Sequence, residues 1–209
     1  CKMSDFSDFV SKSAIEFVKD GKFIELSLCD DSSETVRLIT KWRGDNIKWY
    51  DSDFLPTEFR TKKWLQNNIL NCADSVLFLI LVDGKKIGHI GLDNYNPDLD
   101  SIYIVSVVKG ESIVFPGLME HVGNKLIDWI FHKLNISTIK LRVFSDNYKA
   151  INMNERMGML TINSVPMIKK RTFDGFVWEK CDFSYDNNLH IIRYMNDMEI
   201  KKSNRKVLG

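Results

Sequence analysis

The sequence predicts a mixed α+β sheet with helices on both faces. Three observations carry this. The apolar patterning reads, in order, β-α-α-β-β-β-α-β-α-β-β, which is neither the alternation of a doubly wound fold nor an all-β pattern. Strand-like segments at 76–82, 86–92 and 101–108 are joined by turn signals at Asp83-Gly84 and over 94–100, as in an antiparallel meander. Leu118, Val122, Leu126, Ile130 and Leu134 recur every four residues, which predicts a helix over 117–134.

From the N-terminus, Phe6, Phe9, Val10, Ser13, Ala14 and Phe17 fall near helical spacing, so 4–20 is read as an amphipathic helix closed at Asp20-Gly21. Residues 23–28 alternate apolar and polar, as a half-buried strand does. Asp31 followed by Glu34 reads as the cap of a helix that carries Val36, Leu38, Ile39 and Trp42 and stops near Gly44-Asp45. Residues 45–60 are polar and aromatic, a loop with a short helix. Trp64, Leu65 and Ile69 put a helix over 61–70. Beyond the long helix, 138–143 reads as a strand and 147–157 as a helix closed by Gly158. Strands at 159–168 and 176–183 are joined by a turn at Asp174-Gly175, and 190–195 is a last short strand. The basic stretch 201–206 is expected to be disordered.

Composition limits the function classes. With 29 basic and 28 acidic residues the net charge is +1, which supplies no general attraction to nucleic acid or membrane. No apolar run approaches the ~20 residues of a membrane-spanning helix, and no signal peptide is visible. Cys1, Cys29, Cys72 and Cys181 are far apart, no CxxC occurs and the His are scattered, so no metal site is expected. Unpaired cysteines fit a reducing, cytoplasmic location. The chain begins at Cys1 rather than Met, which suggests a piece of a longer protein or a tag remnant.

The chemistry-bearing features lie in 99–159. Pro116 suits a first helical position, where its missing N–H costs nothing, and Gly117 permits close backbone approach. The N–H groups of Gly117, Leu118 and Met119 would then be free to bind a phosphate group. Asn147 sits at the turn between strand and helix, where an Asx turn with Asp146 is the simple reading.

Four segments together resemble the GNAT superfamily of acyl-CoA-dependent N-acetyltransferases. Trp42-Arg43-Gly44-Asp45 is similar to the "WRN" ending of the family's first helix, and 86–92 to its third strand. Residues 102–134 are similar to the fourth strand, cofactor loop and cofactor helix. Residues 141–150, followed by Glu155-Arg156-Met157-Gly158-Met159, resemble the fifth strand and a helix ending in "ExxGF". The resemblance implies a GNAT-type, mainly antiparallel sheet with its fourth and fifth strands splayed around the acyl-CoA. It divides the chain into an N-terminal helical extension (1–21), an acyltransferase domain (22–198) and a basic tail (199–209).

The resemblance also implies acetyl-CoA as co-substrate, bound by Gly117, Leu118, Met119 and Asn147 and by the backbone at Val107 and Val108. The family loop Arg/Gln-x-x-Gly-x-Gly/Ala is replaced by a longer path from Val108-Lys109-Gly110 to Gly117. The family tyrosine that protonates the leaving thiolate is replaced by Asn154, which can donate a hydrogen bond but is no acid. No carboxylate lies between Ser101 and Val108, so His89 and Tyr103 are the candidates for moving the amine proton, directly or through water. Trp49, Tyr50, Asp51, Asp53, Phe54 and Arg60 are expected to close over the acceptor. A small primary amine, foremost an amino sugar or its nucleotide, is the leading acceptor. A protein α-amine is the enzymatic alternative, and a catalytically weak CoA-binding or interaction domain is the other. The N-terminal helix is where a second protomer or neighbouring domain is expected to dock.

Overall fold

The computed structural model describes residues 4–112, 115–173, 175–181 and 193–205. Its centre is one twisted sheet of nine strands. In chain order these are β1 (Ile15–Lys19), β2 (Lys22–Leu28), β3 (Val76–Val82), β4 (Lys85–Asn96), β5 (Ser101–Lys109), β6 (Thr138–Phe144), β7 (Leu160–Thr172), β8 (Gly175–Lys180) and β9 (Arg193–Lys201). In space they lie in the order β1-β2-β3-β4-β5-β6-β9-β7-β8. Every neighbouring pair is antiparallel except β5 with β6. The helices are α1 (Ser4–Ser11), α2 (Ser33–Asp45), α3 (Glu58–Leu65), α4 (Leu118–Trp129) and α5 (Tyr148–Arg156), with α3 and α4 each ending in a wider π turn.

Helices cover both faces. One face carries the larger core, in which Phe78, Ile80, Ile90, Leu92, Ile102 and Ile139 of the sheet meet Val122, Leu126 and Ile130 of the α4 segment. The other face buries Val36, Ile39 and Trp42 of α2 and Leu65 of α3 against Leu77 and Leu79. β3 is thus buried on both sides, which is why its sequence is an unbroken apolar run rather than an alternation.

The expected order of elements is present, with three corrections. The helix read over 4–20 ends at Ser11, and β1 follows as the outer strand of a hairpin turned by Asp20-Gly21. The strand spacing of Ile15 and Phe17 was hidden by aromatic residues that also fit a helix. The cap of α2 is Ser32, whose Oγ accepts the Thr35 N–H at 3.4 Å, and not Asp31. The basic tail is ordered as far as Arg205. β9 continues to Lys201, and the Arg205 guanidinium then binds Asp128 (2.8 Å), the Asn124 side chain (2.9 Å) and the Met157 carbonyl (2.9 Å). One side of α1 lies on its own sheet: Phe6 and Val10 are buried, Phe6 stacks on Tyr95 at 4.3 Å between centroids, and Phe9 stays exposed. Ile113, Val114, Asp174, Lys206, the strand tip at 182–183 and the start of the last strand at 190–192 lie outside the described residues. Among the described residues no helix is long and apolar enough to cross a membrane.

Candidate active site

The site begins where the sheet opens. β5 and β6 pair only from Ser101 to Tyr103 and Thr138 to Lys140, although both strands run on. β6 keeps full pairing with β9 on its other edge. A gap therefore opens beyond Tyr103 and Lys140. β5 turns away at a bulge: His89 faces Val108 but Gly91 faces Val105, so two residues, Ser106 and Val107, stand opposite Ile90. Ser106 takes a left-handed φ of 51°. The extra residue flips the pleat. Ile104 packs in the α4-side core, whereas Val108, also even-numbered, packs in the α2-side core.

Gly88 makes the crossing possible on β4, because a Cβ there would lie 2.3 Å from the Val108 carbonyl oxygen. The His89 ring is fully buried and its Nδ1–H donates to the Ser106 carbonyl at 2.7 Å. Its Nε2 has no partner among the described residues. Burial pushes the imidazole pKa down to about 4, and Arg43 adds to this against the weaker opposing effect of the Ser106 hydrogen bond. His89 is therefore neutral at physiological pH.

On the α4 side, the helix starts one residue later than expected. Gly117 is the N-cap at φ 81°, its carbonyl accepts from His121 N–H at 3.0 Å, and Pro116 stands before the helix rather than in its first position. The first-turn N–H groups of Leu118, Met119 and Glu120 have no preceding turn to bond. Nothing lies within 4 Å of where a Gly117 Cβ would be. The mouth of the helix is open and carries the positive end of its dipole, so a phosphate fits it.

On the opposite face the gap leads into a cleft of about 650 Å³. The sheet register sets Asp93, Tyr103, Lys140 and Glu199 in one row across β4, β5, β6 and β9. Asp93, Tyr103 and Lys140 line the cleft together with Asp51, Asp74 and Arg142. Tyr103 and Lys140 are the last pair before the strands separate, and the Lys140 ammonium lies 5.9 Å from the Tyr103 ring centroid. Ser75 donates to one Asp93 oxygen, and Asn94 Nδ2 to the other at 2.9 Å. Arg142 pairs with Asp197 at 3.0 Å.

The segment after α2 forms one wall. It is tied to β8 by two short bonds, Asp53 N–H to the Phe176 carbonyl and Trp178 N–H to the Asp51 carbonyl, both 2.7 Å. Two cations are caged beneath it. Arg43 lies over the Phe54 and Trp64 rings at 4.3 and 4.2 Å, and burial lowers its pKa. Arg193 lies 3.5 Å over Phe144 and binds Asp146 at 2.7 Å. Trp42 Nε1 donates to Glu111 at 3.0 Å, which with Lys41 holds that carboxyl below the usual range. The motif Trp42-Arg43 thus anchors the loop that leads into α4 with its first residue and the segment after α2 with its second.

Of the residues singled out for proton transfer, only Tyr103 lines the cleft. His89 is walled off behind the bulge. Asn154 is turned into the core, where its amide meets Met198 Sδ at 3.9 Å. Asn147 caps α5 by accepting the Ala150 N–H at 3.3 Å, the local role its position at the turn suggests. Val107 is exposed at the bulge and Val108 buried. Of the loop residues, Asp51 reaches the cleft while Tyr50 and Phe54 serve the Arg43 cage. Lys140, Arg142 and Asp74 escaped the sequence reading. The alternation of Lys140 and Arg142 with Ile139, Leu141 and Val143 marks a solvent-facing strand face, but only the splay makes that face a cleft.

The fold occurs in known proteins. The structure of RimL, a ribosomal L7/L12 α-N-protein acetyltransferase in complex with coenzyme A, superposes with a TM-score of 0.66 at 17% identity, covering 90% of this chain and 98% of that one. The Vibrio cholerae spermidine N-acetyltransferase in complex with CoA and spermine gives 0.62 at 17% identity, covering 86% and 96%. No curated protein matches the chain significantly. The model of the Acetyltransferase (GNAT) family matches residues 44–159, from the end of α2 to the residue after Gly158, and the chain belongs to that family of acetyl-CoA-dependent N-acetyltransferases.

Proposed function

We propose that the chain acetylates the primary amine of a small, polar molecule that also carries an anionic group, as an amino sugar nucleotide does. The observation that supports this is the row across the splay, with the carboxylate Asp93 on one side of Tyr103 and the ammonium Lys140 on the other. Asp93, with Asp51 and Asp74 in the same cleft, attracts and orients the ammonium form of the acceptor. Lys140 and Arg142 meet its phosphate or carboxylate. The asparagines and serines along the rim suit hydroxyl groups.

In this reading the first-turn N–H groups of α4 hold the pyrophosphate of acetyl-CoA, Asn147 meets its pantetheine arm, and the bulge at Val107 and Val108 presents N–H groups to the thioester. The bound acetyl-CoA supplies the activated acyl group. The acceptor ammonium first gives up a proton to become the free amine; the amine nitrogen then bonds to the acetyl carbon, the carbon–sulfur bond breaks, the nitrogen loses a second proton and the sulfur takes one up. Tyr103 is the side chain at the vertex of the gap that can relay the first of these protons through water to Asp93.

The test is thiol release from acetyl-CoA with a panel of aminohexoses, their nucleotide diphosphates, polyamines and peptides with a free N-terminus. The anionic amino sugars are expected to give the highest kcat/KM. A preference for polyamines, which carry no anion, or for peptides would overturn the acceptor. Acetyl-CoA binding without thiol release for any amine would favour a binding domain.

A further inference from the structure

Beside the gap β5 bulges away from β4, and the His89 side chain is bonded to that bulge. Ser106 has no glycine's freedom, yet it sits at φ 51°. Its carbonyl accepts from the ring of His89, at 2.7 Å. That ring is fully buried and tilted against Trp42, 6.1 Å between centroids, and Trp42 is itself fixed by Glu111. The other ring nitrogen is buried without a partner. A leucine or phenylalanine would fill this space and remove the unpartnered Nε2, but it would take away the donor to the Ser106 carbonyl, so that bond and not packing is what the histidine supplies. A base would need a route to the substrate, and His89 does not reach the cleft.

We infer that His89 is a positioning residue for acetyl transfer, its Nδ1–H holding the Ser106 carbonyl and thereby fixing the bulge that carries the Val107 and Val108 N–H groups. This rests on the acetyl-transfer reading above. The Val107 N–H points opposite to the Ser106 carbonyl, because the two share one planar peptide unit. Locking that carbonyl therefore sets where the Val107 donor points and where the strand resumes toward Val108, and a donor counts in catalysis only when it is aimed in advance. Neutrality matters to the device. Burial and the charge of Arg43 keep the ring neutral, and the Ser106 carbonyl, which can only accept, keeps its one proton on Nδ1.

Three variants separate this role from the alternatives. In His89→Asn the amide N–H stands where Nδ1–H stood; in His89→Gln the donor sits farther out; His89→Leu has none. Infrared spectroscopy of isotope-labelled acetyl-CoA bound without any acceptor reads the thioester carbonyl directly. The wild type and His89→Asn are expected to shift its stretch to lower frequency, and His89→Gln and His89→Leu to lose most of that shift while CoA affinity stays within about threefold. With acceptor, kcat is expected to fall at least about tenfold in the latter two, with the KM for acetyl-CoA little changed, and to be rescued in His89→Asn. Retention of shift and kcat in His89→Leu overturns the inference. Loss of kcat in His89→Asn equal to that in His89→Leu, with the carbonyl shift kept, makes the ring a base instead. Nitrogen NMR of the labelled wild type tests the device with no variant at all: Nδ1 must carry the proton and Nε2 be bare, and the reverse tautomer overturns it. A wild type that fails to bind acetyl-CoA overturns the acetyl-transfer reading instead, and the tautomer measurement keeps the two failures apart.

Discussion

The two sides of the splayed strands are built from different materials. On the α4 side the parts proposed to face the acyl-CoA are backbone: the first-turn N–H groups behind Gly117 and the bulged peptides of β5. On the cleft side they are side chains, Asp93, Tyr103, Lys140 and Arg142, lined up by strand register. A backbone site tolerates changes of side chain but not of chain path. A side-chain site has the opposite sensitivity. The contrast explains how one sheet can keep a cofactor and vary an acceptor.

The largest expected effect comes from disturbing the chain path. In Gly88→Ala the new methyl meets the Val108 carbonyl oxygen at 2.3 Å, with backbone on both sides and no room to yield. We expect a loss of about 2–3 kcal/mol in urea denaturation, together with loss of the thermal shift given by acetyl-CoA. A stable variant that still binds acetyl-CoA would show that the bulge can form another way. Next comes the cleft. Asp93→Asn and Lys140→Met are each expected to raise the acceptor KM at least about tenfold while leaving the acetyl-CoA thermal shift unchanged. Weakened acetyl-CoA binding in either would erase the division between the two sides.

A third test uses pH. The folded pKa of His89 lies near 4, below the usual value of 6.5 for a free imidazole, so the unfolded chain binds the proton that the folded one refuses. The stability that the neutral ring contributes is complete above about pH 6.5 and is lost as pH falls toward 4. Replacing the ring by a group that does not titrate, His89→Asn, should flatten this slope in denaturation measured between about pH 7 and 5. An unchanged slope would place the sensitivity elsewhere. The smallest effect is expected far from either side. Ser32→Ala removes the cap of α2 and should cost about 1 kcal/mol with kcat and both KM values unchanged.

The reading of the sequence was strongest where a local rule acts. The strands β3, β4 and β5, the long helix before the second half and the turn at Asp146-Asn147 all follow from periodicity and turn chemistry. It failed where two rules fitted the same residues. Phe17 suits an amphipathic helix and a hairpin strand equally, and pairing with β2 decided between them. It failed again at the tail, whose basic composition looks solvated until Arg205 finds Asp128, Asn124 and Met157 waiting on α4 and behind α5.

The candidate site divides along the same line. By itself the sequence determined the local frame in which the acyl-CoA is proposed to bind, because a glycine before a periodic helix and an Asp-Asn turn after a strand have local consequences that flanking residues can carry. Only the tertiary structure decided the acceptor side and the fate of His89. Cross-strand neighbours such as Asp93, Tyr103 and Lys140 are brought together by register over long separations in the chain. A histidine on a strand is a base or a brace according to what lies over it, and here Trp42 and the Ser106 carbonyl, far from it in sequence, make it a brace.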